Sequence, residues 1–145
     1  MNVQAILVRK GTAVATVKPD ATLADATASL RDHGVGALVV SANGRTIDGI
    51  LSERDVVRAL AAHGGSTLGR EVSSAMSANV VVCQPDDTVE QLMAMMTDRR
   101  IRHLPVLDVN AELAGIISIG DVVKARLGEL QLENNQLYEY IQGRA

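Results

Sequence analysis

Apolar and polar positions follow one rhythm along this chain, and the rhythm is played twice. Val14-Ala15-Thr16-Val17 reads as a short strand, stopped by the turn signal Lys18-Pro19-Asp20. From 22 to 33 the period lengthens, and Leu23, Ala26, Ala28 and Leu30 give a helix with an alanine-diluted apolar face. Val35 to Ser41 predicts a strand, Asn43-Gly44 a hairpin turn, and Ile47 to Leu51 the antiparallel return. Residues 53–63 form the second helix. The order then starts again. Val80 to Cys83 predicts a strand, residues 88–99 a helix, and Leu104 to Leu107 with Leu113 to Ile117 a hairpin across Asp108–Ala111. A last helix begins near Ile119.

The two passages superpose residue by residue. Residues 14–60 lie over 80–126 at a constant shift of 66 without a gap, and fifteen of the 47 positions are identical. Pro19-Asp20 and Thr22 fall on Pro85-Asp86 and Thr88. Gly49-Ile50, Ser52 and Asp55-Val56-Val57 fall on Gly115-Ile116, Ser118 and Asp121-Val122-Val123. Each copy has a similar lead-in, Val3-Gln4-Ala5-Ile6-Leu7 and Val72-Ser73-Ser74-Ala75-Met76. The joint His63 to Arg70 is too short to hold two domains apart. The copies should form one pseudo-symmetric body, and a cleft where similar faces meet is the natural place for a ligand.

Composition narrows the classes. At 145 residues the chain is one domain's worth. Hydrophobic residues make up 47%, with two Tyr and no Phe or Trp, so the core is aliphatic and lacks the stacking platforms that hold single-stranded nucleic acid. A net charge of −3 gives no basic footprint for DNA or RNA. No apolar run reaches the 18 residues of a membrane span, and the N-terminus does not read as a secretory leader. A soluble cytoplasmic protein with no nucleic-acid or membrane partner is expected. Cys83 stands where the first copy has Val17, which predicts a buried strand thiol. Three scattered His and one Cys give no metal-ligand spacing.

Four helix starts carry a hydroxyl followed three residues later by an acid or amide: Thr22/Asp25, Ser52/Asp55, Thr88/Gln91 and Ser118/Asp121. That is a capping box, which needs no ligand. The copies differ in charge. Arg54 faces Gly120 in the alignment, and Arg100, Arg102 and His103 face Gly34, Gly36 and Ala37.

The opening Val-x-Pro-Asp-x-Thr, the hairpin Arg102-His103-Leu104-Pro105-Val106 and the closing Gly49–Asp55 and Gly115–Asp121 segments resemble the CBS domain, the module named after cystathionine β-synthase. Two in tandem resemble a CBS pair, or Bateman module, of the stand-alone bacterial kind. The resemblance, which covers residues 3 to about 127, implies an α/β (α+β) fold of two β-α-β-β-α repeats, 3–63 and 72–127, packed with pseudo-twofold symmetry; beyond it the residue pattern itself predicts a helical tail over 128–145. The resemblance also implies clefts that bind AMP, ADP, ATP, S-adenosylmethionine or sometimes NAD, with no required cofactor. It implies a regulatory role without catalysis, exerted on an unidentified protein target. The alternative is a ligand-free interaction scaffold.

By the same resemblance each cleft draws on both copies. Ser52, Arg54, Asp55 and Ile50 should share one cleft with Arg102 and His103 and prefer a phosphorylated nucleotide. Ser118, Asp121 and Ile116 should face Gly36 and Ala37 in a second cleft with little positive charge. Beyond it, Val123, Leu127, Leu130, Asn134, Leu137 and Ile141 space as a heptad seam. The seam predicts a homodimer through the tail, the other outcome being a helix folded back onto its own body.

Overall fold

Hydroxyl side chains start four of the helices. The computed structural model describes residues 1–143. In it Thr22, Ser52, Thr88 and Ser118 cap α2 (Leu23–His33), α3 (Glu53–His63), α4 (Val89–Arg99) and α5 (Ile119–Ile141). The reciprocal bond of the capping box forms at Ser52, Thr88 and Ser118. Thr22 differs: its side chain accepts from the Asp25 N–H without the return bond from the Asp25 side chain. A fifth helix, α1 (Val3–Lys10), precedes them.

The first copy builds a three-stranded sheet, β1 (Thr16–Val17), β2 (Ala37–Val40) and β3 (Gly49–Ser52), with β1 parallel and β3 antiparallel to β2. Asn43-Gly44 does not make a two-residue turn. The return begins only at Gly49, and the Asn43 side chain organises the longer loop by accepting the Arg45 and Thr46 N–H groups.

The second copy has only the hairpin β4 (His103–Leu107) and β5 (Leu113–Ser118). The strand expected over Val80 to Cys83 shrinks to a bridge between Cys83 and Val106. Proline explains the loss. In the first copy the Val39 N–H bonds the Ala15 carbonyl at 3.1 Å. Val39 aligns with Pro105, which has no N–H to give, so the matching bond to Val81 cannot form. The bridge keeps Cys83 buried, and burial, with the charge of Asp87 nearby, pushes its thiol up to about 12. Such a thiol is inert at neutral pH.

The lead-ins cross over. Val3, Ile6 and Leu7 of α1 are buried among Leu92, Leu104 and Ile117 of the second copy. Val72, in a short 3-10 turn (Val72–Ser74), is buried among Leu23, Leu38 and Leu51 of the first. The backbone repeats the exchange: the Val3 N–H bonds the Asp87 carbonyl at 2.9 Å, and the Val72 N–H bonds the Ala21 carbonyl at 2.8 Å. Thus each copy's core is completed by residues that precede the other.

Of α5, only Val122 and Ala125 are buried, and every described residue from Leu130 onward is exposed. As far as residue 143 the tail is therefore not folded back onto its own body; residues 144–145 of the expected tail lie outside the described residues.

Candidate functional site

Because each capping box holds its acid at the first turn of a helix, Asp55 and Asp121 stand at the starts of α3 and α5. Around Asp55 lies a cavity of about 540 Å³, within the size range of small-molecule sites. Ile50, Ser52, Arg54 and Asp55 line it from the first copy, Arg102 and His103 from the second. The six residues expected to share a cleft thus share one cavity. Gly36 and Ala37, expected at the other cleft, line this one instead. Ala37 pairs with Ser52 across β2 and β3, and the Gly36 carbonyl accepts the Glu53 N–H, so both stay beside the start of α3.

Other residues line the cavity as well, of which sequence reasoning missed Ser77, Asn79, Val81, Arg58 and Arg99. Val80 and Val81, released from the ladder by Pro105, form part of the wall, as do Ser77 and Asn79. Arg58, one turn beyond Arg54 on α3, adds a guanidinium, and Arg99 and Arg100 add two from the end of α4. Arg100 is unusual. It caps α4 in the left-handed region, at φ 53°, where the first copy places Gly34 at φ 63°. A side chain there costs about 1–2 kcal/mol relative to the right-handed form. The signal in the sequence was an Arg at a helix end where its repeat has Gly. A smaller hollow of about 300 Å³ adjoins, sharing Asp55 and Arg58 and adding His63 and Arg70.

At Asp55 one carboxylate oxygen, Oδ2, accepts the Ser52 N–H at 2.9 Å and the Ser52 hydroxyl at 3.1 Å. No described protein group bonds Oδ1. His103 lies in the cavity wall beside Gly36. Burial lowers its affinity for a proton, helped by Lys10 and Arg102, while Glu53 and Asp121 pull the other way and lose. It is accordingly neutral at pH 7.

The second capping box is arranged differently. Asp121 Oδ2 accepts the Ser118 N–H at 2.9 Å and also the Lys10 ammonium at 2.6 Å. The same ammonium donates to the Ile116 carbonyl at 2.9 Å. Burial pushes the Asp121 carboxyl up, but the bonds from Lys10 and Ser118 and the Lys10 charge outweigh it and hold the group below its usual value. The expectation of little positive charge there fails, because Lys10 lies in the lead-in, outside the aligned copies. Neither the 540 Å³ nor the 300 Å³ cavity includes Ile116, Ser118 or Asp121. Among the described residues no His, Cys, Asp and Glu cluster has metal-binding form, and no helix is long and apolar enough to cross a membrane.

Comparison with known proteins agrees with this architecture. The family model of the CBS domain matches residues 7–62 and again 70–128. The chain is 39% identical over 128 residues to CBS domain-containing protein CBSX3, mitochondrial, of Arabidopsis thaliana, a match covering 86% of this chain and 62% of that protein. It thus spans less than two thirds of that relative's length. The crystal structure of a CBS-domain containing protein from Agrobacterium tumefaciens superposes with a TM-score of 0.81 at 50% identity, covering 86% of this chain and 98% of that one. CBSX2, crystallised in complex with AMP, superposes with a TM-score of 0.73 at 26% identity, covering 88% and 96%. With two matches in tandem, an interlocked pair of mixed helix-and-sheet repeats and these structural relatives, the chain belongs to the CBS domain family and carries the domain twice.

Proposed function

We propose that this chain is a non-catalytic regulatory module that binds an adenosine nucleotide in the cleft around Asp55. One observation carries the reading: Asp55 and five arginines from both copies line a single cavity. The complex of CBSX2 with AMP supports it. Asp55 Oδ1 accepts the ribose hydroxyls, and Ser52 orients the carboxylate. Ile50, Val80, Val81 and Ile101 supply apolar wall for the base. Arg54, Arg58, Arg99, Arg100 and Arg102 outnumber Glu53 and Asp55, so the cleft suits two or three phosphates better than one. ADP and ATP should therefore bind more tightly than AMP, and a cationic ligand such as S-adenosylmethionine should bind poorly.

The chain acts as a homodimer through α5. Val123, Leu127, Leu130, Leu137 and Ile141 are all exposed along one heptad seam, with Asn134 in register to fix a parallel pair. Val57 and Leu60 extend the exposed apolar surface onto α3. An α5 cut after Leu130 should sediment as a monomer.

Thermal unfolding with AMP, ADP, ATP and S-adenosylmethionine tests the nucleotide reading. ATP and ADP should stabilise the protein most, by about 2.7 kcal/mol at a hundredfold excess over Kd. Asp55→Ala should weaken them by roughly 30-fold, about one bond to a charged group. No stabilisation by any adenosine compound would leave the scaffold reading in its place.

A further inference from the structure

The aligned copies and their lead-ins do not repeat at the same interval. The copies repeat at 66, but the lead-ins repeat at 69: Val3 matches Val72, and Leu7 matches Met76. The structure bears this interval out, because Gly115 abuts Leu7 where its counterpart Gly49 abuts Met76. The three additional residues are Gly11, Thr12 and Ala13. They have a structural consequence. A helix advances 1.5 Å per residue and an extended chain about 3.3 Å. With three residues to spare, the first lead-in stays helical as far as Lys10. The second leaves its 3-10 turn at Ser74, and Ser77 exchanges two backbone bonds with Ile50, at 2.9 and 3.0 Å.

The same interval pairs Lys10 with Asn79. Asn79 is a neutral lining residue of the cavity around Asp55. Lys10 instead reaches into the opposite cleft and bridges Ile116 to Asp121. The bridge falls on equivalent atoms. The Ile50 carbonyl receives the Ser77 N–H, and its counterpart, the Ile116 carbonyl, receives the Lys10 ammonium. Asp121, counterpart of the acid proposed to hold the ribose, is neutralised by the same group.

We infer that Lys10 is a built-in occupant of the second cleft, bound to the carboxylate that corresponds to Asp55, so that the chain binds one adenosine nucleotide and holds a second site latent. This rests on the nucleotide reading of the Asp55 cleft. The latent site is the less cationic one. Gly120 stands beside Asp121 where the other acid has Arg54 beside it, and Gly36 and Ala37, the counterparts of Arg102 and His103, bring no charge to either acid. Once opened, it should take a ligand of low charge such as AMP.

Native mass spectrometry of the full chain titrated with AMP counts the sites. Lys10→Asn copies the residue of the other cleft, and Lys10→Ala serves if that variant does not fold. The wild type should hold one AMP per chain and the variant two, with Asp121→Ala in the variant background returning the count to one. Two on the wild type, or one on both, overturns the inference. None on the wild type but one on the variant, lost again with Asp121→Ala, upholds it and removes the reading of the Asp55 cleft. None on either protein overturns both.

Discussion

Asp55 and Asp121 start from the same capping box and end in different surroundings. At Asp55 the seam encloses a cavity lined by five guanidiniums; at Asp121 a lysine from α1 bridges wall to carboxylate. The capping boxes themselves do not decide this. Ser52 with Asp55 and Ser118 with Asp121 make the same backbone bonds. What differs is the charge of the copies, Arg54, Arg100 and Arg102 against Gly120, Gly34 and Gly36, and the lead-in, helical to Lys10 on one side and extended at Ser77 on the other. Three residues outside the aligned region add to these substitutions in separating the fates of two duplicated acids.

Glycine substitutions probe that contrast with the largest effect. A Cβ on Gly49 would stand 2.8 Å from the Ser77 carbonyl oxygen, fixed backbone, and 2.6 Å from Met76 Sδ. A Cβ on Gly115 would meet only the Leu7 side chain, at 2.6 Å. Gly49→Ala should cost about 3 kcal/mol and Gly115→Ala about 1 kcal/mol in urea unfolding. Equal costs would mean that the extended and helical lead-ins are equally yielding.

Arg100→Gly comes next. It restores the residue of the first copy at a left-handed helix end, and should stabilise the fold by about 1 kcal/mol. ADP affinity should fall at the same time, by about fivefold, roughly one exposed charge contact. Greater stability with unchanged ADP affinity would reduce Arg100 to a helix-end cation.

The smallest effect is a pH dependence. The folded protein holds Asp121 below its unfolded value of about 3.9, so the Lys10 pair stabilises above that pH and its contribution is lost as pH falls through the folded value. The stability difference between wild type and Lys10→Asn should be under about 1 kcal/mol at pH 7 for this part-exposed pair. It should hold to about pH 4 and vanish below. Urea titrations at pH 7, 5 and 3 measure it, and a difference that grew in acid would deny the pair its role.

Much of the fold was legible because helices and strands carry their own signals. The hydroxyl caps and the 3.6-residue period located α2, α3 and α4, and the internal match told that the body is double. The grouping of Ile50, Ser52, Arg54 and Asp55 with Arg102 and His103 followed from the family resemblance rather than from spacing, since spacing alone is satisfied by capping. The rest depended on single atoms. A missing N–H at Pro105 dissolved the strand at Val80 and turned valines toward the cavity. Lys10 escaped notice because an alignment begun at Val14 does not contain it. Arg100 shows in the sequence only as a charge facing Gly34, and its strained backbone is visible only in three dimensions.

The crossed lead-ins make the molecule a handshake. A nick in the Gly64–Gly69 turn would leave two fragments still clasped, each lacking a piece of hydrophobic filling that only its mate provides. Linear repeat proteins can melt unit by unit because each unit leans only on its neighbours. Here neither half can let go first, so a duplicated sequence should give a single calorimetric peak.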